Sequence, residues 1–179
     1  MRKKRDYEAF LDGYKPALVI EPYRQAYPLV EHYPCVEYDE DNTFHFHTEE
    51  QKRAFEEALN EVERGSYEEE FLIGSTLGFP QKSVEFFARG CEIKKETSKM
   101  PESLGVIWAG FWFATDAEIV HDEVVWLWNT YKHPRTEGET LYLWGDDIDI
   151  DIEVPHGDYN ALEKACEYIR EKRGIVIAG

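Results

Sequence analysis

Two groups of residues carry side chains and spacings that could do chemistry. The first is the run Asp146-Asp-Ile-Asp-Ile-Asp-Ile-Glu153, followed by Val154. Ile148, Ile150, Ile152 and Val154 share one parity, and Asp147, Asp149, Asp151 and Glu153 share the other. Alternation with a period of two is the pattern of a half-buried strand. Its outward face would carry carboxylates about 7 Å apart along the chain. At that spacing neighbouring charges repel by roughly 0.6 kcal/mol in water and by more where hydration is poor. Such a ladder, with Asp146 at its head, needs open solvent, a cation or a basic partner. It lacks the Asp-x-Asp-x-Asp-Gly loop and distal glutamate of a calcium hand, and extended geometry spreads its acids too widely to chelate one ion. The remaining readings are an edge strand charged against sheet-to-sheet aggregation and a surface that captures a basic protein.

The second group is Cys35, Glu37, His45 and His47. Residues 35–38 and 43–47 flank Asp39-Glu-Asp-Asn42, a turn-rich stretch, and read as a hairpin. A three-residue loop at 40–42 would set Tyr38 opposite Phe44 and Val36 opposite Phe46, with all four on one side. Glu37 would then face His45, and Cys35 would face His47, on the other side. These are competent ligands for zinc or another divalent transition metal, with His32 as a further donor. A small metal-dependent hydrolase built on His45, His47 and Glu37, assisted by Cys35 or His121, is therefore the alternative reading. An ordinary polar face with hydrogen-bonded histidines is the simpler explanation of the same residues. His121-Asp122-Glu123 and His156-Gly-Asp158 add isolated acid–base candidates. No phosphate loop, nucleophile elbow or His-Glu-x-x-His motif occurs, and no residue is assigned as catalytic.

The elements that position these groups follow from periodicity. Thr48 with Gln51 predicts a capping box opening a helix whose stripe is Phe55, Ala58, Leu59 and Val62, ended by Gly65. A second helix covers 67–77. Pro80 opens a third, with Val84, Phe87 and Ala88 inward and Gly90 beyond its end. Residues 105–114 are apolar at both parities, as expected of one central strand covered on both faces. Residues 124–128 and 141–144 read as further strands of an antiparallel, aromatic-rich meander, with Gly145-Asp146 as the turn before the acidic strand. Asn160 with Glu163 predicts the capping box of a last helix. Its inward stripe is Leu162, Ala165, Cys166 and Ile169, and Arg170, Lys172 and Arg173 suit its negative end before Gly174. The fold class is α+β: an antiparallel aromatic-rich sheet packed with several helices and a C-terminal helix. The expected organisation is a single domain over 1–179, with a loop and hairpin region at 1–47, a helical region at 48–90, and sheet plus C-terminal helix at 104–179.

Composition narrows the function classes. The chain has 179 residues, 42% of them hydrophobic, which is ample for a core. Its net charge of -17 repels nucleic acid phosphates and anionic lipid, and steers basic proteins inward. Three well-separated cysteines make no disulfide framework, and Cys166 reads as a buried thiol. The basic start Met1-Arg-Lys-Lys-Arg5 lacks an apolar h-region, so it does not read as a signal peptide, and no apolar run approaches a membrane span. Trp108, Trp112, Trp126, Trp128 and Trp144 supply core and, where turned outward, a contact patch or a homo-oligomer face. The expectation is a non-enzymatic cytoplasmic protein, of immunity, inhibitor or nucleic-acid-mimic type, that captures a basic partner through the 146–153 acidic strand without a cofactor.

Overall fold

In the computed structural model, which describes residues 3–175, two antiparallel sheets pack with helices in an α+β arrangement. After helix α1 (Asp6–Leu11), strands β1 (Ala17–Ile20), β2 (Cys35–Glu37) and β3 (Thr43–Phe46) form a three-stranded sheet in the order β1-β3-β2. Helices α2 (Glu49–Glu61), α3 (Tyr67–Thr76) and α4 (Gln81–Thr97) follow. The larger sheet comprises β4 (Leu104–Trp108), β5 (Phe111–Thr115), β6 (Thr140–Gly145) and β7 (Ile150–Pro155), in the order β5-β4-β6-β7. Helix α5 (Val120–Thr130) connects its two hairpins, and α6 (Tyr159–Lys172) follows the sheet.

The small sheet has a core on each side. Val36, Phe44 and Phe46 meet Phe55 of α2, while Leu18 and Ile20 meet Phe10 of α1 and Val30. The side expected to be an open polar face is therefore a second packed layer. The inward face of the larger sheet presents Leu104, Val106, Trp108, Phe111, Leu141, Leu143, Ile150 and Val154. Val120, Val124, Leu127 and Trp128 of α5 and the stripe Leu162, Ala165, Cys166 and Ile169 of α6 cover it. Phe79 packs against the cores of both sheets.

Local signals set most helix ends. The Thr48 hydroxyl accepts from the Gln51 N–H at 3.2 Å, and Gln51 Oε1 accepts from the Thr48 N–H at 3.1 Å, completing the expected capping box. The Ser66 hydroxyl caps α3 by accepting from the Glu69 N–H. Pro80 stands at the N-cap of α4 and brings no side-chain acceptor. Glu123 of α5 takes that role, its carboxylate accepting from the Ser83 N–H at 2.8 Å.

Four elements differ from the sequence expectation. Helix α4 continues through Gly90 to Thr97, and Ser98 at φ 61° ends it. Gly90 marks a close approach instead: a Cβ there would lie 3.0 Å from Met100 and 3.2 Å from Pro101. Phe87 of the same helix is exposed. Residues 105–114 fold back on themselves at Ala109 and Gly110, whose φ values of 47° and 86° suit a two-residue hairpin turn. Residues 124–128 are helical, since Val120, Val124, Leu127 and Trp128 fall on one face at i, i+4, i+7 and i+8, all buried. Asp158, accepting from the Ala161 N–H at 2.9 Å, caps α6 in place of Asn160.

Candidate functional site

The acidic run divides between a turn and a strand. Gly145 pairs with Ile150, so residues 146–149 form the loop of the β6–β7 hairpin, and Asp149 takes a left-handed φ of 49° that aspartate tolerates. Ile148 tucks towards the core beneath the loop. Only Asp151 and Glu153 continue as an alternating strand, about 7 Å apart. The regular ladder of four acids is therefore interrupted after Asp149. All five acids are nevertheless exposed, and among the described residues β7 pairs only with β6, which leaves it at the edge of the sheet.

One of the five is engaged within the chain. The Asp147 carboxylate meets the Arg173 guanidinium at 2.8 Å, and Arg173 also donates to the Ser103 carbonyl at 3.1 Å. Arg173 is almost fully buried, so this pair ties the acidic loop to the end of α6. Among the described residues, no cation pairs with Asp146, Asp149, Asp151 or Glu153.

The carboxylates border the outward face of the larger sheet. Strand register sets Glu153, Tyr142, Ile107 and Trp112 side by side in one row, and Asp151, Trp144, Gly105 and Ala114 in the next. Trp144 is 41% exposed and Trp112 43%. The Trp144 indole lies against Gly105, in the volume a Cβ would fill, so the missing side chain gives the ring its seat. An exposed tryptophan thereby stands opposite Asp151 on the neighbouring strand.

Of the four candidate metal ligands, only Cys35 and His45 stand opposite each other. Cys35 pairs with His45 and Glu37 with Thr43, two residues away from the expected register. The turn starts earlier because the Asp39 carboxylate accepts from the Asp41 N–H at 2.9 Å and the Asn42 amide at 3.0 Å. His45 is fully buried beside Tyr27, and neither ring nitrogen meets a partner at hydrogen-bond geometry. Burial lowers its pKa, and the nearby Val30 and Tyr33 backbone opposes that shift. His47 lies beyond β3, stacked on Phe10 with centroids 4.2 Å apart, its Nε2 2.9 Å from the Lys15 carbonyl. Glu37, on the same face of β2 as Cys35, is exposed, as is His32. Among the described residues, no three His, Cys, Asp or Glu side chains come together to hold a metal ion.

The other acid–base candidates are also spread apart. His121 lies in the first turn of α5, next to Asp122 at 3.2 Å. His156 is half-buried between Trp108 and Trp128, and burial lowers its pKa. A cleft of about 200 Å³ between α3, α4 and β5 is walled by Ile73, Leu77, Val84, Phe87 and Phe113. Its buried hydroxyl, Ser83, donates to Glu123 at 3.0 Å and lies 2.8 Å from the Thr115 hydroxyl. That carboxylate is occupied in capping α4, which makes the trio a structural joint rather than an activated nucleophile.

Two features escaped the sequence reading. Lys15 is buried against the Phe79 and Phe111 rings, and desolvation lowers its pKa to about 8. The basic residues Lys3, Lys4 and Arg5 lie against the outward face of the larger sheet. A run of basic residues beside an acidic body is the only sequence signal for the latter. Comparison with protein-family models, curated proteins and solved structures finds no match to this chain.

Proposed function

We propose that this chain is a non-enzymatic, acidic binding protein of the cytoplasm that captures a basic protein partner through the 146–153 turn and edge strand. The observation that carries the reading is the association of Asp146, Asp149, Asp151 and Glu153, exposed and without a cation among the described residues, with the exposed and seated Trp144. Carboxylates give long-range attraction and orientation, and an aromatic ring supplies contact area and a cation-binding face. A net charge of -17 extends the attraction over the molecule and would raise the association rate. Immunity proteins and inhibitors that imitate nucleic acid work on this principle. Among the described residues no helix is long and apolar enough to cross a membrane, which suits a partner met in solution.

The test is carbodiimide cross-linking of captured proteins, which joins carboxylates to partner lysines in direct contact. Cross-links concentrated at Asp149, Asp151 and Glu153 are expected, together with loss of capture in the D149N/D151N/E153Q variant. Raising salt from 0.15 M to 1 M shortens the screening length from about 8 Å to about 3 Å and should release the partner. Undiminished capture by the triple variant would remove this surface from the function.

A further inference from the structure

The two rows across the outward face of the larger sheet have related chemistry. Each starts with a carboxylate on β7 and continues to an aromatic ring on β6: Glu153 beside Tyr142, then Asp151 beside Trp144. Lys3 holds its ammonium 4.2 Å above the centre of the Tyr142 ring. Arg5, two residues on, places its guanidinium 6.0 Å from the Trp112 ring at the far end of the same row. Between them Trp112 Nε1–H donates to the Lys4 carbonyl at 3.4 Å. The Lys4 side chain turns the other way, meeting Asp12 at 2.7 Å and donating to the Arg135 carbonyl at 3.1 Å. Residues 3–5 are non-helical, and their side chains alternate, as in an extended segment crossing the strands. Lys3 and Lys4 also line a small recess with Ile107, Glu139 and Tyr142.

We infer that residues 3–5 are an intramolecular stand-in for the partner: the outward sheet face fits an extended segment with Lys or Arg at alternate positions, and the chain's own basic segment occupies its first row. A partner segment displaces Lys3 and Arg5 from Tyr142 and Trp112 and adds a cation over Trp144 beside Asp151. This rests on the proposed capture of a basic partner and specifies its conformation and its competitor. Charge complementarity selects a basic occupant, and alternation of the aromatic contacts selects an extended one. Among the described residues no cation stands over Trp144. Lys4, anchored to Asp12 and Arg135, would keep the displaced segment close and able to return.

The test titrates the full chain with a nine-residue peptide of alternating lysine and serine, with a glutamate–serine peptide as control, following affinity by calorimetry and the Trp112 indole resonance by NMR. Replacing both ring-bound cations (Lys3→Ser with Arg5→Ser) removes the competitor and should tighten binding about five-fold, as the loss of two weak cation–π contacts implies. Arg53→Ser with Lys99→Ser makes the same charge change at exposed positions elsewhere and should alter affinity less than about two-fold. Adding the peptide to the unmodified protein should move the Trp112 indole resonance towards its position in the Lys3/Arg5 variant. Trp144→Leu should weaken binding about five-fold. Equal affinity of the Lys3/Arg5 variant and the unmodified protein, or a static Trp112 resonance, overturns the inference. If that occurs while D149N/D151N/E153Q still weakens binding, capture through the acidic surface stands and only the stand-in falls. Indifference of every variant, including the triple one, removes both.

Discussion

The seat of Trp144 on Gly105 makes a prediction whose sign depends on its neighbour. A Cβ at Gly105 would occupy the space of the Trp144 indole, so Gly105→Ala must push the ring off the sheet. Trp144 is 41% exposed, which leaves about 150 Å² of a side chain of roughly 250 Å² covered. Losing about half of that cover costs about 2 kcal/mol at 25 cal/mol per Å². Alanine is otherwise favoured over glycine inside a strand by roughly 0.5–1 kcal/mol, because the unfolded chain loses freedom. The net expectation is a destabilisation of about 1 kcal/mol. With Trp144→Ala already in place the three atoms nearest that Cβ are gone, and the same substitution should stabilise by roughly 0.5–1 kcal/mol. Urea unfolding of the four proteins in this double-mutant cycle should give a coupling of about 2 kcal/mol. Coupling below about 0.5 kcal/mol, or destabilisation of equal size in both backgrounds, refutes the seat. The proposed capture would then lose its pre-positioned tryptophan.

Two further predictions concern buried charge. Lys15 has its pKa lowered from 10.5 to about 8 by desolvation, so the unfolded chain binds the extra proton between those values. Native stability associated with this group is present above pH 10.5 and lost as pH falls through about 8, and the difference is about 3 kcal/mol. Lys15→Met should therefore stabilise the protein at pH 7, with an advantage that shrinks by about 2–3 kcal/mol towards pH 10; a pH-independent difference in urea unfolding contradicts this. Asp147→Asn should cost about 1–2 kcal/mol in the same assay, because it leaves the nearly buried Arg173 with only the exposed Glu102 carboxylate, 3.8 Å away. Neutralising Asp149, Asp151 or Glu153 should change stability by less than about 0.5 kcal/mol, and equal costs at all four positions would contradict the special place given to Asp147.

What could be read from the sequence was local. The Thr48–Gln51 box and the Leu162–Ile169 stripe each depend on residues within two turns of one another, and they appear where periodicity places them. The errors come from contacts the sequence does not display. Ala109 at φ 47° is not a usual residue for a tight hairpin turn, so the reversal inside 105–114 carries no strong signal. Gly110 takes a φ of 86° that suits glycine, and the start of α1 packs so closely on it that a Cβ there would fall 2.5 Å from Ala9 and 2.8 Å from the Arg5 carbonyl. A short apolar run such as 124–128 fits a strand or a buried helix equally, and here the wider spacing from Val120 to Trp128 decides. The slip of two residues between β2 and β3 kept the same apolar residues on the same side, so hydrophobic pattern alone had no means to detect it. That slip changes which residues sit opposite His45 and His47, and it accounts for part of the scattering of the proposed ligand set.

The candidate surface was half legible for a related reason. The acids were visible as a pattern, but their division between loop and strand follows from β6 ending at Gly145. Trp144 and Gly105 are separated by 39 residues, and only strand pairing shows that one seats the other. The basic start of the chain was legible as charge and not as an occupant, because Tyr142 and Trp112 lie more than a hundred residues away.

A charged edge strand can serve only to prevent strands of other molecules from adding to the sheet, and Asp151 and Glu153 would suffice for that. The remainder of the surface is poorly suited to such a role. Asp146 and Asp149 project from a loop, where there is no ladder edge to protect. Trp144, one strand in from that edge, is exposed although burying it would favour stability, and a glycine on the next strand holds it in that position. The row beside it is covered by two of the chain's own cations, arranged at alternate residues over aromatic rings. A protective edge requires charge alone, whereas a docking face requires charge, a fixed aromatic anchor and a geometry that a basic segment can match. All three occur on the outward face of this sheet, within two adjacent rows of side chains.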